Sequence, residues 1–114
     1  MLKKIECFFP VHKLEDIKKA LIDCGVEGMS VSDVKGFGRQ QVSRLKQEDK
    51  AHDVSFSDRI KLEIVLREED LDQVISEIKR LAWTGTSGDG KIFVLPVEDA
   101  IRISTDEVGM SALY

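Results

Sequence analysis

Cysteine and histidine are scarce and long apolar runs are missing in this chain of 114 residues, and each shortage removes a class of protein. The two cysteines, Cys7 and Cys24, lack the C-x-x-C spacing of a zinc or redox motif. Cys7 falls in a strand pattern and Cys24 on the apolar stripe of a helix, so both read as reduced core residues rather than a disulfide framework. His12 and His52 stand too far apart in sequence to suggest a metal centre. No apolar run approaches the roughly 18 residues of a membrane span. Met1-Leu2-Lys3-Lys4 leads into a short apolar stretch broken by Glu6, which is unlike a secretory leader. Positive charge is not in excess either. A formal net charge of -4 argues against a general nucleic-acid binder. With 42% hydrophobic and 33% charged residues, the composition is that of an ordinary globular protein. The expectation is one domain over residues 1–114, located in the cytoplasm.

Periodicity supplies the architecture. Residues 2–9 read as a strand with Ile5, Cys7 and Phe9 on one face, closed by Pro10, which has no N–H for a ladder. Leu14, Ile17, Leu21 and Cys24 form the stripe of a half-buried helix that stops at Gly25. Residues 29–34 read as a second strand. The order then repeats. Ile60, Leu62, Ile64 and Leu66 alternate with Arg59, Lys61, Glu63 and Val65, and a helix over 69–82 carries Leu71, Val74, Ile75, Ile78 and Leu81. A strand over 91–97 follows. Two such halves give βαββαβ, a ferredoxin-like α+β sandwich with an antiparallel sheet. Its helices cover one face only, and a second subunit is the simplest cover for the other.

Two segments stand out from this frame. Gly85-Thr86-Ser87-Gly88-Asp89-Gly90-Lys91 spells the start of a Walker phosphate loop, yet Ile92 replaces the required Ser or Thr. It also lies between a helix and a strand, the reverse of the Walker order. Two readings of the three glycines stay open on spacing alone: a helix C-cap followed by a turn, or an anion-binding nest with Lys91 as its point charge. The other segment, 37–58, joins the second and third strands and has no apolar period. It balances Arg39, Arg44, Lys46 and Lys50 against Glu48, Asp49, Asp53 and Asp58. A connection this long in a small domain is expected to be a functional arm that orders against a partner.

VKGFGRQ (34–40), KLEIV (61–65), TGTSGDGKIFVLPV (84–97) and EDAIRIST (98–105) resemble, in that order, the PII signal-transduction proteins of nitrogen regulation. The similarity spans nearly the whole chain. It implies a homotrimer that binds ATP or ADP, with AMP also admissible, in clefts between subunits. It further implies a non-enzymatic sensor that controls a target protein through its long loop. Residue by residue, Gly88, Asp89, Gly90 and Lys91 match the phosphate loop, and Arg102 matches an arginine that reaches the phosphates. Ser30, Gly38, Arg39, Gln40 and Val65 match positions around the nucleotide and the loop base, and Glu63 one near the adenine. Gln40 matches a residue that helps hold Mg²⁺ with ATP and 2-oxoglutarate. Arg59 stands where a lysine usually meets a 2-oxoglutarate carboxylate.

The chain also departs from that pattern. Ser104 replaces the second phosphate arginine, Pro10 a lysine near the end of the first strand, His52 the tyrosine uridylylated in enteric members, and Lys50 the serine phosphorylated in cyanobacterial ones. These departures resemble a divergent branch with a reduced preference for ATP over ADP, and they leave 2-oxoglutarate, bicarbonate or another small anion open as second effector. The resemblance makes a membrane transporter or a metabolic enzyme the expected target, without insertion of the arm into lipid. The competing classes are a weak ATPase using Lys91 and Gln40, a sensor of inorganic carbon or adenylate charge without a 2-oxoglutarate response, and a structural trimer with a decayed site.

Overall fold

Alternation along the strands decides which residues enter the core. The computed structural model describes residues 1–38 and 56–114. Strand β1 (Leu2–Pro10) and β3 (Ser57–Arg67) bury every second side chain: Ile5, Cys7 and Phe9 on one, Ile60, Leu62, Ile64 and Leu66 on the other. Helix α1 (Leu14–Asp23) adds Ile17 and Leu21 to the same cluster, and α2 (Leu71–Ala82) adds Val74, Ile78 and Ala82. With β2 (Ser30–Gly36) and β4 (Lys91–Val97), the sheet order is β2-β3-β1-β4 and every neighbouring pair is antiparallel. This is the ferredoxin-like α+β sandwich expected from the two half-units.

The boundaries follow local chemistry. Each helix is preceded by a short 3-10 turn, Val11–Lys13 or Glu68–Asp70, which periodicity did not indicate. Glu15 and Asp16 lie in the first turn of α1, and Lys79 and Arg80 in the last turn of α2, as the helix dipole favours. Cys24 is not on the stripe of α1: it is the C-cap and only half-buried, because the helix ends one residue earlier. Gly25 follows it at φ 92°, in the left-handed region where glycine carries no Cβ penalty. Cys7 is a core residue, and burial pushes its thiol up to about 12.

Strand β2 runs two residues past its expected end because Lys35 and Gly36 still pair with Asp58 and Ser57. At that point the Lys35 ammonium lies 3.3 Å from Asp58, and the Ser57 hydroxyl donates to the Gly36 carbonyl at 3.1 Å. Just beyond, the Phe37 and Phe56 rings meet edge to face with centroids 5.3 Å apart. These contacts form a neck where the chain leaves and re-enters the sheet.

After β4 the chain makes a small hairpin. Ile101 bridges to Val108, Arg102 N–H donates to Glu107 O at 2.9 Å, and Gly109 N–H donates to Ala100 O at 2.9 Å. A turn over Gly109–Ala112 then brings the segment 109–114 back beside the end of β3.

Candidate functional site

The sheet face without helices carries alternating charge, and pairing brings those charges together. Glu6 and Glu63 are directly opposite in the β1–β3 register, an unfavourable like-charge pair by itself. Lys4 resolves the conflict by reaching both, 3.1 Å from Glu6 and 2.7 Å from Glu63, while Lys61 stands 3.7 Å from Glu63. The hydrogen bond from Lys4 holds Glu63 below the usual carboxylate range, and Glu63 in return raises Lys4.

The residues expected around a ligand fall into two groups. Ser30, Glu63, Val65 and Arg102 line one cleft of about 600 Å³, closed on one side by the 24–29 connection between α1 and β2. Gly38, Arg59, Gly90 and Lys91 line another of about 580 Å³, together with Phe8 and Phe93. Those two rings meet edge to face at 6.1 Å. Arg59 and Val65 are six residues apart on one strand, or about 20 Å at the usual rise. The two groups are therefore separate within one chain. Ser104 lies on the exposed turn of the hairpin and lines neither cleft. Arg39 and Gln40, and with them the expected Mg²⁺ contact and half of the effector pair, lie outside the described residues, as do Lys50 and His52.

The glycine loop sits between α2 and β4, as its position in the sequence implied, so it does not present a helix N-terminus to an anion. Its organiser is Asp89. The carboxylate accepts from Thr84 N–H at 2.6 Å, from Gly85 N–H at 3.0 Å, and from the hydroxyls of Thr84 and Thr86. These donors, led by Thr84, hold Asp89 at a pKa of about 2. A carboxylate that acidic has little basicity at neutral pH, which argues against Asp89 as a general base. The open nest is thus partly filled by the protein's own anion. The loop residues that line the cleft are Ser87, Gly90 and Lys91.

Gly90 has its own reason to be glycine. Its φ is 116°, and a Cβ there would stand 1.8 Å from the Phe8 carbonyl oxygen. The loop is thereby pressed onto the end of β1, which sets Lys91 opposite Phe8 in the sheet register. Arg59 adds a second restraint: its Nη1 donates to the Gly88 carbonyl at 2.6 Å. Sequence reasoning assigned Arg59 to a ligand and missed this role. It also missed Lys4 as the partner of Glu63, although Lys4 and Glu6 already alternate with Ile5 and Cys7 in the sequence.

An antiparallel sheet with helices on one face and the order β2-β3-β1-β4 defines a ferredoxin-like α+β domain, not the strand–loop–helix arrangement of a Walker phosphate loop. Among known proteins, the family model "Nitrogen regulatory protein P-II" matches residues 2–107. Nitrogen regulatory protein P-II of Microchaete diplosiphon is 40% identical over 112 residues, covering 98% of this chain and 100% of that protein. Its counterpart from Rhizobium meliloti is 42% identical over 112 residues, with the same coverage of both. The crystal structure of Arabidopsis thaliana PII bound to citrate superposes with a TM-score of 0.79 at 37% identity, covering 98% of this chain and 89% of that one. The chain belongs to the P-II family of nitrogen regulatory proteins. Its class is accordingly a signal-transduction regulator. No helix among the described residues is long and apolar enough to cross a membrane.

Proposed function

We propose that the protein is a homotrimeric sensor of adenine nucleotides, without an enzymatic role, that regulates a target protein through the 37–58 arm. The observation that carries this reading is the division of the site. Lys91, Arg59 and the end of the glycine loop occupy one end of the open sheet face, while Ser30, Glu63, Val65 and Arg102 occupy the other. A second copy that brings its Glu63 end against this copy's Lys91 end completes one site, and only a closed ring completes every site. Exposed apolar side chains on β4 and on the hairpin after it support burial between subunits. Ile103 is 98% exposed and Ile101 61%, and Phe93 and Leu95 of β4 are also open.

The chemistry of the two halves suits the two ends of a nucleotide. Lys91 and Arg59 supply positive charge beside backbone that only glycine can follow, which fits phosphate. The other half offers Val65 and the hydroxyl of Ser30 beside the paired Glu63, which fits a base and a sugar. Arg102 extends from the hairpin toward that half and adds charge where a neighbour's phosphates would arrive. ATP and ADP bind with similar affinity in this reading, since Ser104 supplies no charge. Mg²⁺ held with ATP by Gln40, and a small anion such as 2-oxoglutarate met by Gln40 and Arg59, belong to the same proposal. The neck at Phe37 and Phe56 abuts the Lys91 cleft, so a ligand there biases which arm conformations are populated. The target is a transporter or a metabolic enzyme.

Light scattering and calorimetry with ATP, ADP and AMP test the reading. The expected result is a trimer that binds ADP and ATP within about tenfold of each other, or 1.4 kcal/mol. Lys91→Ala weakens both by about 1.5–3 kcal/mol, the scale of a hydrogen bond to a charged group. A monomer, or a chain indifferent to all three nucleotides, overturns the proposal.

A further inference from the structure

The segment 109–114 folds back onto the cleft that contains Glu63 instead of leaving the domain. Ala112, Leu113 and Tyr114 line that cleft along with Ser30, Val65 and Arg102. Tyr114 is held twice. The guanidinium carbon of Arg67 lies 5.4 Å from its ring centroid, and its hydroxyl faces the Asp70 carboxylate at 3.5 Å. Arg67 and Asp70 are locked to each other by two hydrogen bonds of 3.1 and 3.3 Å. Arg67 is the last residue of β3, so this arrangement is anchored on the strand that presents Glu63 and Val65.

A cavity of about 600 Å³ stays open with the segment in place, which makes the segment a wall of the cleft and not a plug. A wall that is already ordered removes a cost from binding, because the ligand does not have to immobilise it. We propose that Tyr114, Arg67 and Asp70 act as a positioning clamp. It holds segment 109–114 as one wall of the pocket for the base and sugar, and so sets affinity at that end of the ligand. This rests on the adenine-nucleotide reading above.

The clamp separates from the phosphate end in a mutant comparison on the full chain, using calorimetry with ADP and with GDP. Tyr114→Ala weakens ADP about fivefold, the scale of an exposed cation–π contact, and narrows the preference for ADP over GDP. Tyr114→Phe retains most of the ADP affinity, since the ring over Arg67 remains. Lys91→Ala weakens both diphosphates by the same factor and leaves their ratio unchanged. Wild-type and Tyr114→Ala proteins with equal ADP affinity and an equal ADP-to-GDP ratio overturn the clamp while leaving the nucleotide reading intact. A wild-type chain that binds no nucleotide overturns both.

Discussion

The Arg59 guanidinium and the Gly88 carbonyl are joined by a 2.6 Å hydrogen bond that ties the start of β3 to the middle of the glycine loop. The bond spans two elements that a ligand would address separately: the base of the arm and the backbone beside Lys91. An arginine has five N–H donors, so one committed to Gly88 leaves others for an anion. A lysine at the same place is a point charge on a flexible stem and does not serve both in the same way.

Arg59→Ala therefore loosens the loop before it loosens the fold. The expected stability loss is about 1–2 kcal/mol, at the lower end for a charged hydrogen bond because the group is part-exposed. Hydrogen exchange in residues 84–90 quickens while β1 and β3 stay protected. Unchanged exchange in the loop shows that the bond does not restrain it.

Gly90→Ala and Gly36→Ala separate backbone need from simple preference. At Gly90 the added methyl meets the Phe8 carbonyl at 1.8 Å, so either β1 or the loop must move, and the strain of a left-handed alanine adds to that. A loss of more than about 2 kcal/mol in chemical denaturation is expected. At Gly36 nothing lies within 4 Å of the new atom and φ is not positive, so the effect stays within about 1 kcal/mol of zero. Equal effects at the two positions contradict the close approach to Phe8.

Asp89 makes the loop sensitive to acid. Its carboxyl is lowered from 3.8 to about 2 by Thr84, Gly85 and Thr86, so its contribution is fully present above its unfolded value. That contribution falls as pH drops from about 3.8 through about 2. The amide resonances of Thr84 and Gly85 should shift together across that window. In Asp89→Asn the transition disappears from both amides, and its persistence there removes Asp89 as the organiser.

Lys4→Met leaves Glu6 facing Glu63, with Lys61 3.7 Å from Glu63. The melting temperature is expected to fall at neutral pH and to recover partly as salt is added, because screening relieves a like-charge contact. The carboxyl of Glu63 moves up toward its ordinary value, since its principal lowering partner is gone. A melting temperature that drops equally at low and high salt assigns the effect to lost packing instead.

Much of the architecture is legible in the chain because its cause is local. The alternation from Ile60 to Leu66 and the stripe from Leu71 to Ala82 state which faces are buried, and Gly25 marks a helix end. The candidate site is less legible because it is built by register. Nothing in the order of residues says that Glu6 will face Glu63, and without that pairing the bridging role of Lys4 is invisible. Gly90 illustrates a second limit. Its glycine suggested room for an anion, whereas the nearest cause is a neighbouring carbonyl brought in by the sheet. Similarity of motifs singled out Ser30, Glu63, Val65 and Arg102, which line one cleft, but it did not indicate that Arg59 and Asp89 are already engaged with the glycine loop.

The neck formed by Lys35–Asp58, Ser57–Gly36 and the Phe37–Phe56 rings has a consequence for how such a protein diversifies. Because the two chain ends are fastened there, the domain below does not depend on what is inserted above. Doubling the length of a flexible insert adds only about 0.6 kcal/mol of closure entropy. The neck thus works as a socket: a different sequence at 41–55 is expected to leave the sheet and the described lining of both clefts in place.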